Sequence, residues 1–421
     1  MLQRIAILGA GISGQAARRL ALSLGHEVCL FDQEGRGDDA AFGSDKLENF
    51  DTIVVSPGFG AEHPWRILAE NCGKPCFGEL GFAARYWKGK IIGITGTNGK
   101  STLTSLLTSS LKQSGKVAVA TGNIGYPLSD AVLSEENTHE AYAVCEISSF
   151  QAELPFGLVL DGLIWSNFAE DHLDRYASMN DYFFAKARLF ACLQPDAICV
   201  LSPQVGHWMN LMHTDFNACS VAYDDPELSA QLLPGSPFRD FPHSENFALA
   251  AEFWWLLDLP TEALVETAST FKLASHRLKQ EVEWNGVRFW NDSKATNFHA
   301  TLAALATTPK PIFWIGGGRE KGGNVEAFGK AVASNIEAAF LYGEIGKRLA
   351  EVLKPTLPVV EVYHDFKDAV LAAAAAAENV SRANVLLSPG FSSFDQFSSY
   401  DERGKCFISI VLGLKDARMT H

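Results

Sequence analysis

Phosphate chemistry is the first thing this chain offers. Gly96-Thr97-Asn98-Gly99-Lys100-Ser101 follows an apolar stretch, Ile91–Thr95, and runs into a helix-forming one, Leu103–Leu111. Backbone N–H groups in such a loop can cradle phosphates, with Lys100 adding a cation and Ser101 or Thr102 an oxygen for magnesium. The strict P-loop pattern places a glycine where Ile94 stands, so the match is to a shortened loop; a structural glycine turn is the competing reading. A second turn, Gly9-Ala10-Gly11-Ile12-Ser13-Gly14, sits between an expected strand and an expected helix. Its glycines let a diphosphate approach the helix N-terminus, where amide donors and the helix dipole favour anions. Asp32 closes the next strand, where an acidic side chain would reach a ribose hydroxyl. Alone, this second pattern fits a nicotinamide or flavin dinucleotide site or a plain strand–helix turn. An ATP loop in the same chain argues against hydride transfer.

The elements that must position these groups alternate strand and helix from end to end, which gives an α/β fold with parallel sheets covered by helices. Strands are expected at Arg4–Leu8, Glu27–Phe31 and Thr52–Val55, with a helix over Ile12–Leu24 and a break at Ser56-Pro57-Gly58. The polar step Trp87-Lys88-Gly89-Lys90 closes a first domain, 1–89. A second, 90–273, holds strands near Ala141–Ile147, Gly162–Ser166 and Ala197–Leu201, a loop at Leu233–Pro237 and a helix from near Ser244. Helical periodicity stops near Lys272–His276. The third domain, 274–421, repeats the alternation at Val287–Trp290, Ile312–Ile315, Ala339–Tyr342, Val359–Tyr363 and Val385–Leu387. The alanine run Ala372–Ala377 is a helix by propensity.

Bulk properties narrow the partners. A chain of 421 residues exceeds one ordinary core, and its 47% hydrophobic and 20% charged residues are those of a globular protein. The formal charge of -14, without a basic run, argues against nucleic acid or an anionic membrane surface. Eight cysteines show neither metal nor disulfide spacing, even at the closest pair, Cys72 and Cys76, so all are expected as thiols. No signal segment and no apolar run of about 18 residues is evident, which reads as cytoplasmic.

The motifs then fall in an order that resembles the Mur ligases, enzymes that form amide bonds with ATP. Gly96–Thr102, GTNGKST, is similar to that family's ATP loop. Thr121-Gly122-Asn123-Ile124-Gly125 resembles its TGNIG turn, and Glu146-Ile147-Ser148-Ser149-Phe150-Gln151 its E-x-S-S-F-Q segment. Asn167–Tyr176, containing Glu170-Asp171-His172-Leu173-Asp174-Arg175, resembles N-x-x-x-D-H-L-D-R, and Ala185-Lys186-Ala187-Arg188 resembles A-K-x-R. His276-Arg277-Leu278, Asn291–Asn297 (NDSKATN) and Ser392–Phe397 (SSFDQF) complete a resemblance that spans nearly the whole chain. It is strongest to the members that add D-glutamate to UDP-N-acetylmuramoyl-L-alanine.

The resemblance implies that ligase reaction, with ATP and magnesium at two sites as cofactors, and a monomer. The first domain would be Rossmann-like and hold the UDP-substrate through Gly11, Ile12, Ser13, Asp32, Ser56, Pro57 and Gly58, with Asn123 from the second. The central domain would bind ATP on Gly96, Thr97, Asn98, Gly99, Lys100, Ser101, Thr102 and Asn123, with Asn246 at the adenine. His276, Arg277 and Asp292, the last at the ribose, would come from a Rossmann-like third domain. Phosphoryl transfer to a carboxylate gathers anions, which gives Lys100, Arg277 and Lys294 their catalytic value. Ser101 and Glu146 would hold one magnesium, and His172 with Lys186, the latter as a carbamate, would meet the second. D-Glutamate would touch His172, Thr296, Lys321, Ser393, Phe394 and Tyr400. Because these groups come from separate domains, ATP analogue and UDP-substrate together should compact the protein in small-angle scattering.

Without the family, Glu146 is a strand-end carboxylate, Lys186 a solvated helix lysine, His172 a loop histidine and Asn246 part of a helix start capped by Ser244. Three departures from the family pattern stand out: Tyr400 for the common phenylalanine, Arg319-Glu320 before Lys321, and Gln33-Glu34 where some relatives set Thr-Arg against the uracil. An NAD(P)-linked oxidoreductase would leave Lys100, Glu146 and His172 without a task. The Gly9–Gly14 turn counts against a folate-polyglutamate ligase, and the set Lys100, Glu146, His172 and Lys186 against a binding protein without catalysis.

Overall fold

The computed structural model describes residues 2–214 and 219–419. Its strands form three sheets. In the first, β1 (Arg4–Leu8), β2 (Glu27–Phe31), β3 (Thr52–Val55) and β4 (Cys76–Gly78) are parallel in the order β2-β1-β3-β4. The second contains β5 (Lys90–Thr95), β6 (Ala118–Gly122), β7 (Tyr142–Glu146), β8 (Leu160–Trp165), β9 (Leu193–Leu201) and β10 (Cys219–Val221), parallel in the order β10-β9-β8-β5-β7-β6. The third contains β11 (Lys279–Trp284), β12 (Val287–Asn291), β13 (Ile312–Gly317), β14 (Ala338–Tyr342), β15 (Val359–Tyr363) and β16 (Asn384–Gly390), in the order β11-β12-β16-β13-β14-β15. Only the β11–β12 hairpin in it is antiparallel.

These strands read as continuous apolar runs because both faces of a parallel sheet are covered. Every residue of β3 and of β14 is buried. The helix Lys100–Gln113 closes one face of the second sheet with Leu103, Leu106, Leu107 and Leu111, a spacing that puts all four on one stripe. The alanine run forms the end of a helix, Phe366–Ala377, which buries Ala369, Ala373, Ala374 and Ala377 against the third sheet. Short or polar strands escaped the sequence pattern: β4 and β10 have three residues each, and β11 is the charged KQEVEW.

By compactness the chain divides into two units. One comprises Met1–Phe168 with Asn180–Phe271 and carries the first two sheets; the other comprises Ala169–Met179 with Lys272–His421 and carries the third. Within the first unit, Arg19 grips Asp130 through Nε (2.9 Å) and Nη2 (2.7 Å), and buried Arg66 meets Glu153 at 2.5 Å.

One expectation from the sequence is corrected. Cys199 and Cys219 form a disulfide, because β10 pairs with β9 in a register that sets these residues opposite each other with Cα atoms 4.6 Å apart. Cys29, Cys72, Cys76, Cys145, Cys192 and Cys406 are thiols. Among the described residues, no helix is long and apolar enough to cross a membrane.

Candidate functional site

Ligands of open parallel sheets bind beyond the carboxyl ends of the strands, where successive connections turn in opposite directions. In the second sheet that point lies between β5 and β8, and the loops after these two strands are stitched together. Thr97 N donates to Asn167 O at 3.1 Å, Asn98 N to Asn167 Oδ1 at 2.8 Å, and Ser166 Oγ to Asn98 O at 2.7 Å. Gly96 (φ +143) leaves no room for a side chain, since a Cβ there would lie 2.0 Å from Ser166 Oγ. Gly99 (φ +82) caps the helix Lys100–Gln113, and its Cβ would lie 2.5 Å from Asn246 Oδ1. Asn246, remote in sequence, therefore lies against the phosphate loop.

Two lysines converge on this loop. Lys100 Nζ donates to Gly96 O and Thr97 O, both at 2.9 Å, and Lys186 Nζ donates to the same Gly96 O at 2.9 Å. Lys186 is not solvated, as a bare helix lysine would be: it is 1% exposed and sits 4.9 Å over the Tyr182 ring. Two ammonium groups on one carbonyl repel each other, and an arriving anion or neutralisation of one of them relieves this. Glu146 ends β7, buried, with Oε1 accepting from Asn123 Nδ2 at 3.0 Å, so the TGNIG turn and the acidic strand end form one cluster. Ser101 and Thr102 are buried in the first turn of the helix after the loop. The Ser101 hydroxyl and Glu146 carboxylate are hard oxygen donors of the kind magnesium takes. The described residues contain no cluster of three His, Cys, Asp or Glu side chains suited to a metal, and a magnesium held largely by phosphates and water needs none.

The first sheet has its own reversal, between β1 and β3. There the Gly9–Gly14 turn faces the Ser56-Pro57-Gly58 break, with Ser56 Oγ donating to Gly9 O at 3.1 Å. A Cβ on Gly14 would lie 1.8 Å from Gly9 O, so that glycine serves the packing of helix on strand; one on Gly11 or Gly58 would meet only open space. Gly11 caps the helix Ile12–Ser23 without a side-chain hydrogen bond, Ile12 is 78% exposed and Ser13 is half-buried. Asp32 is turned inward. It accepts from Ala10 N (2.8 Å), Glu34 N (3.1 Å) and both Nε and Nη2 of Arg36, and the Arg36 guanidinium, with the Ala10 amide, holds its carboxyl down at about 2. Arg36 was not singled out by the sequence, although an Asp and an Arg four residues apart were a visible pair.

In the second unit, the loops after β13 and β16 are joined by Arg319 N to Ser392 O (2.9 Å) and Ser392 N to Arg319 O (3.2 Å). That pairing brings Lys321 beside Thr296 and Phe391 in a narrow cleft, also lined by Glu170, Asp171 and Asn297. Ser393 is buried nearby in the chain, whereas Phe394 is 62% exposed. The departures Arg319 and Glu320 pair with Glu344 (3.1 Å) and Arg348 (2.6 Å) and are absent from the cleft wall. Lys321 Nζ meets Asp171 Oδ1 at 3.1 Å. Burial opposes the charge on Asp171, but Lys321, with His172 and Asn297, holds its carboxyl below the usual range. His172 takes a left-handed backbone (φ 57) and keeps its ring 3.7 Å from Asp171 Oδ2.

Lys294 Nζ donates to Tyr400 Oη at 3.1 Å and lies 4.6 Å over that ring, so the hydroxyl that replaces a phenylalanine edge anchors a lysine. His276 is buried with both ring nitrogens engaged, one by Asn291 at 3.0 Å and one by Asp401 at 3.2 Å. Asp292 accepts from Ser388 Oγ (2.8 Å) and Leu278 N (3.0 Å); burial pushes its carboxyl up to about 7 against these bonds and the nearby Arg277.

Comparison with known proteins agrees with this geometry. Residues 94–228 match the Mur ligase middle domain and residues 276–390 the Mur ligase glutamate ligase domain. A UDP-N-acetylmuramoylalanine–D-glutamate ligase of Sphingopyxis alaskensis is 33% identical, covering 98% of each chain. One of the same name from Protochlamydia amoebophila is 30% identical over 96% of this chain and 97% of its own. Among solved structures, the UDP-N-acetylmuramate–alanine ligase MurC of Thermotoga maritima shares the fold at a TM-score of 0.60 and 16% identity, over 98% of this chain and 99% of that one. The MurF ligase of the same organism, solved with ADP, does so at 0.59 and 16% identity, over 87% and 88%. With both family domains matched and relatives of this identity along its full length, the chain belongs to the Mur ligase family.

Proposed function

We propose that the protein joins D-glutamate to the free carboxylate of UDP-N-acetylmuramoyl-L-alanine, with cleavage of ATP to ADP and phosphate, as a cytoplasmic monomer in peptidoglycan precursor synthesis. The observation that carries this reading is the convergence of Lys100 and Lys186 on Gly96 O, with Asn246 against Gly99 and Glu146 at the adjoining strand end. The names of relatives about a third identical over the full length support the choice of substrates.

The substrate carboxylate attacks the γ-phosphorus; an O–P bond forms, the β–γ bridge breaks and ADP leaves an acyl phosphate. The amine of D-glutamate, having lost its proton, then attacks the acyl carbon and expels phosphate. Lys100 offsets the charge that gathers on the terminal phosphates, and the Gly96–Ser101 amides cradle them. Asn246 holds the base beside the loop. Uptake of carbon dioxide by the neutral amine of Lys186, with release of a proton, replaces a buried cation by an anion beside the loop and ends the repulsion with Lys100. Ser101 and Glu146 would hold one magnesium ion and the Lys186 carbamate a second, and these ions would supply charge neutralisation for phosphoryl transfer. The Gly9–Gly14 turn takes the substrate diphosphate at the start of the helix Ile12–Ser23. Asp32, fully engaged by Ala10, Glu34 and Arg36, shapes that turn and presents Arg36 to the nucleotide. In the second unit, Lys321 and Thr296 receive the D-glutamate side-chain carboxylate.

The test is phosphate release from ATP, magnesium and UDP-N-acetylmuramoyl-L-alanine with D-glutamate, L-glutamate, L-lysine or meso-diaminopimelate added separately. Release with D-glutamate alone is expected. Release with another amino acid overturns the choice of substrate, and release with none overturns the ligase reading.

A further inference from the structure

The lysine assigned to the amino-acid carboxylate already holds a carboxylate. Lys321 Nζ lies 3.1 Å from Asp171 Oδ1, and the two side chains are 19% and 8% exposed. Asp171 has anchors of its own. Asn297 Nδ2 donates to its Oδ2 at 3.1 Å, and the His172 amide donates to its Oδ1 at 2.9 Å. The pair borders a narrow cleft that Thr296 also lines, so an acid reaching Lys321 there meets Asp171.

We propose that Asp171 is a positioning residue that competes with the amino-acid substrate for Lys321, so that binding exchanges one ion pair for another. The proposal rests on the reading that Lys321 receives the substrate's side-chain carboxylate. Two features favour exchange over a fixed strut. The anchors from Asn297 and the His172 amide hold Asp171 whether or not Lys321 does, so a substrate can draw the lysine away without leaving the carboxylate bare. The ammonium, on a flexible stem with rotatable donors, can turn from one acceptor to another where a bidentate guanidinium could not. Exchange makes the gain on binding the difference between two similar ion pairs, which weakens the affinity for the acid. In return, the buried lysine is kept compensated at every stage, since an uncompensated buried charge is costly.

The test is the KM for D-glutamate, with saturating ATP and UDP-substrate, in wild type, Asp171→Asn and Asp171→Ser. Asp171→Asn removes the competitor and is expected to lower KM about twofold to fivefold, the scale of a partly exposed ion pair. Asp171→Ser also removes the competing carboxylate, with a smaller side chain, and is expected to lower KM by a similar factor, so it decides the matter if Asp171→Asn does not fold. A KM that stays level or rises in the folded variants overturns the exchange, because a strut that only orients Lys321 would raise it. A wild type that releases no phosphate with D-glutamate overturns the functional reading and the exchange with it.

Discussion

Glu79 gives the prediction whose size follows most directly from the structure. It opens the helix Glu79–Ala84, is 4% exposed, and accepts a hydrogen bond from Ser129 N at 2.7 Å through Oε1. Oε2 is buried and meets no hydrogen-bond partner among the described residues. Burial pushes the carboxyl from its ordinary 4.5 up to about 7, against the pull of Ser129. A folded-state pKa above the unfolded one means that the stability from this group is fully present below 4.5 and is lost as pH rises through about 7. Each pH unit between those two values is worth about 1.4 kcal/mol, which brings the full loss to about 3 kcal/mol. Glu79→Gln mimics the protonated acid, keeping the acceptor for Ser129 N and carrying no charge. The variant should therefore exceed wild type by about 3 kcal/mol near pH 8 and by only about 1 kcal/mol near pH 5. Urea unfolding across that range, followed by circular dichroism and tryptophan fluorescence, measures the gap. A gap that is the same at both ends of the range, or a variant less stable than wild type at the alkaline end, would refute a buried acid that resists ionisation.

Four further outcomes are expected. Lys100→Ala should cut kcat by about a hundredfold to a thousandfold, while its melting temperature stays near that of wild type, since the hydrogen bonds to Gly96 O and Thr97 O lie on a surface-edge loop and not in the core; turnover near the wild-type rate removes Lys100 from the mechanism. Lys186→Ala should be inactive, and short carboxylates should restore part of the rate; full activity without them rules out the carbamate. Gly99→Ala should abolish ATP binding in calorimetry, because it forces a side chain at φ +82 into Asn246, and unchanged affinity would mean the loop does not hold ATP. Glu153→Gln, which leaves buried Arg66 with Glu70 as its remaining charged partner, should destabilise the first unit by about 2 kcal/mol in the same urea assay.

What the sequence made legible was local. The strand Arg4–Leu8, the helix begun at Ile12 and the loop at Gly96–Ser101 announce themselves through apolar runs and glycines whose backbone angles no other residue adopts easily. So do the strand ends where the chemistry gathers, because parallel strands deliver their loops to one edge of the sheet. The partners found at those ends were not legible. Asn246 reaches Gly99, and Asp171 reaches Lys321, across separations of well over a hundred residues. The disulfide depends on β10 docking beside β9 in one register, and a one-residue slip would turn Cys219 to the other face. Lys186 shows why this matters for function. As a residue type a helix lysine suggests a solvated face, yet Lys186 falls three and four residues after the buried Phe183 and Tyr182, and its amine donates to Gly96 O just past the end of β5. Whether a lysine is a surface charge or a site for carbon dioxide is thus decided by burial, and burial is set by which strands become neighbours.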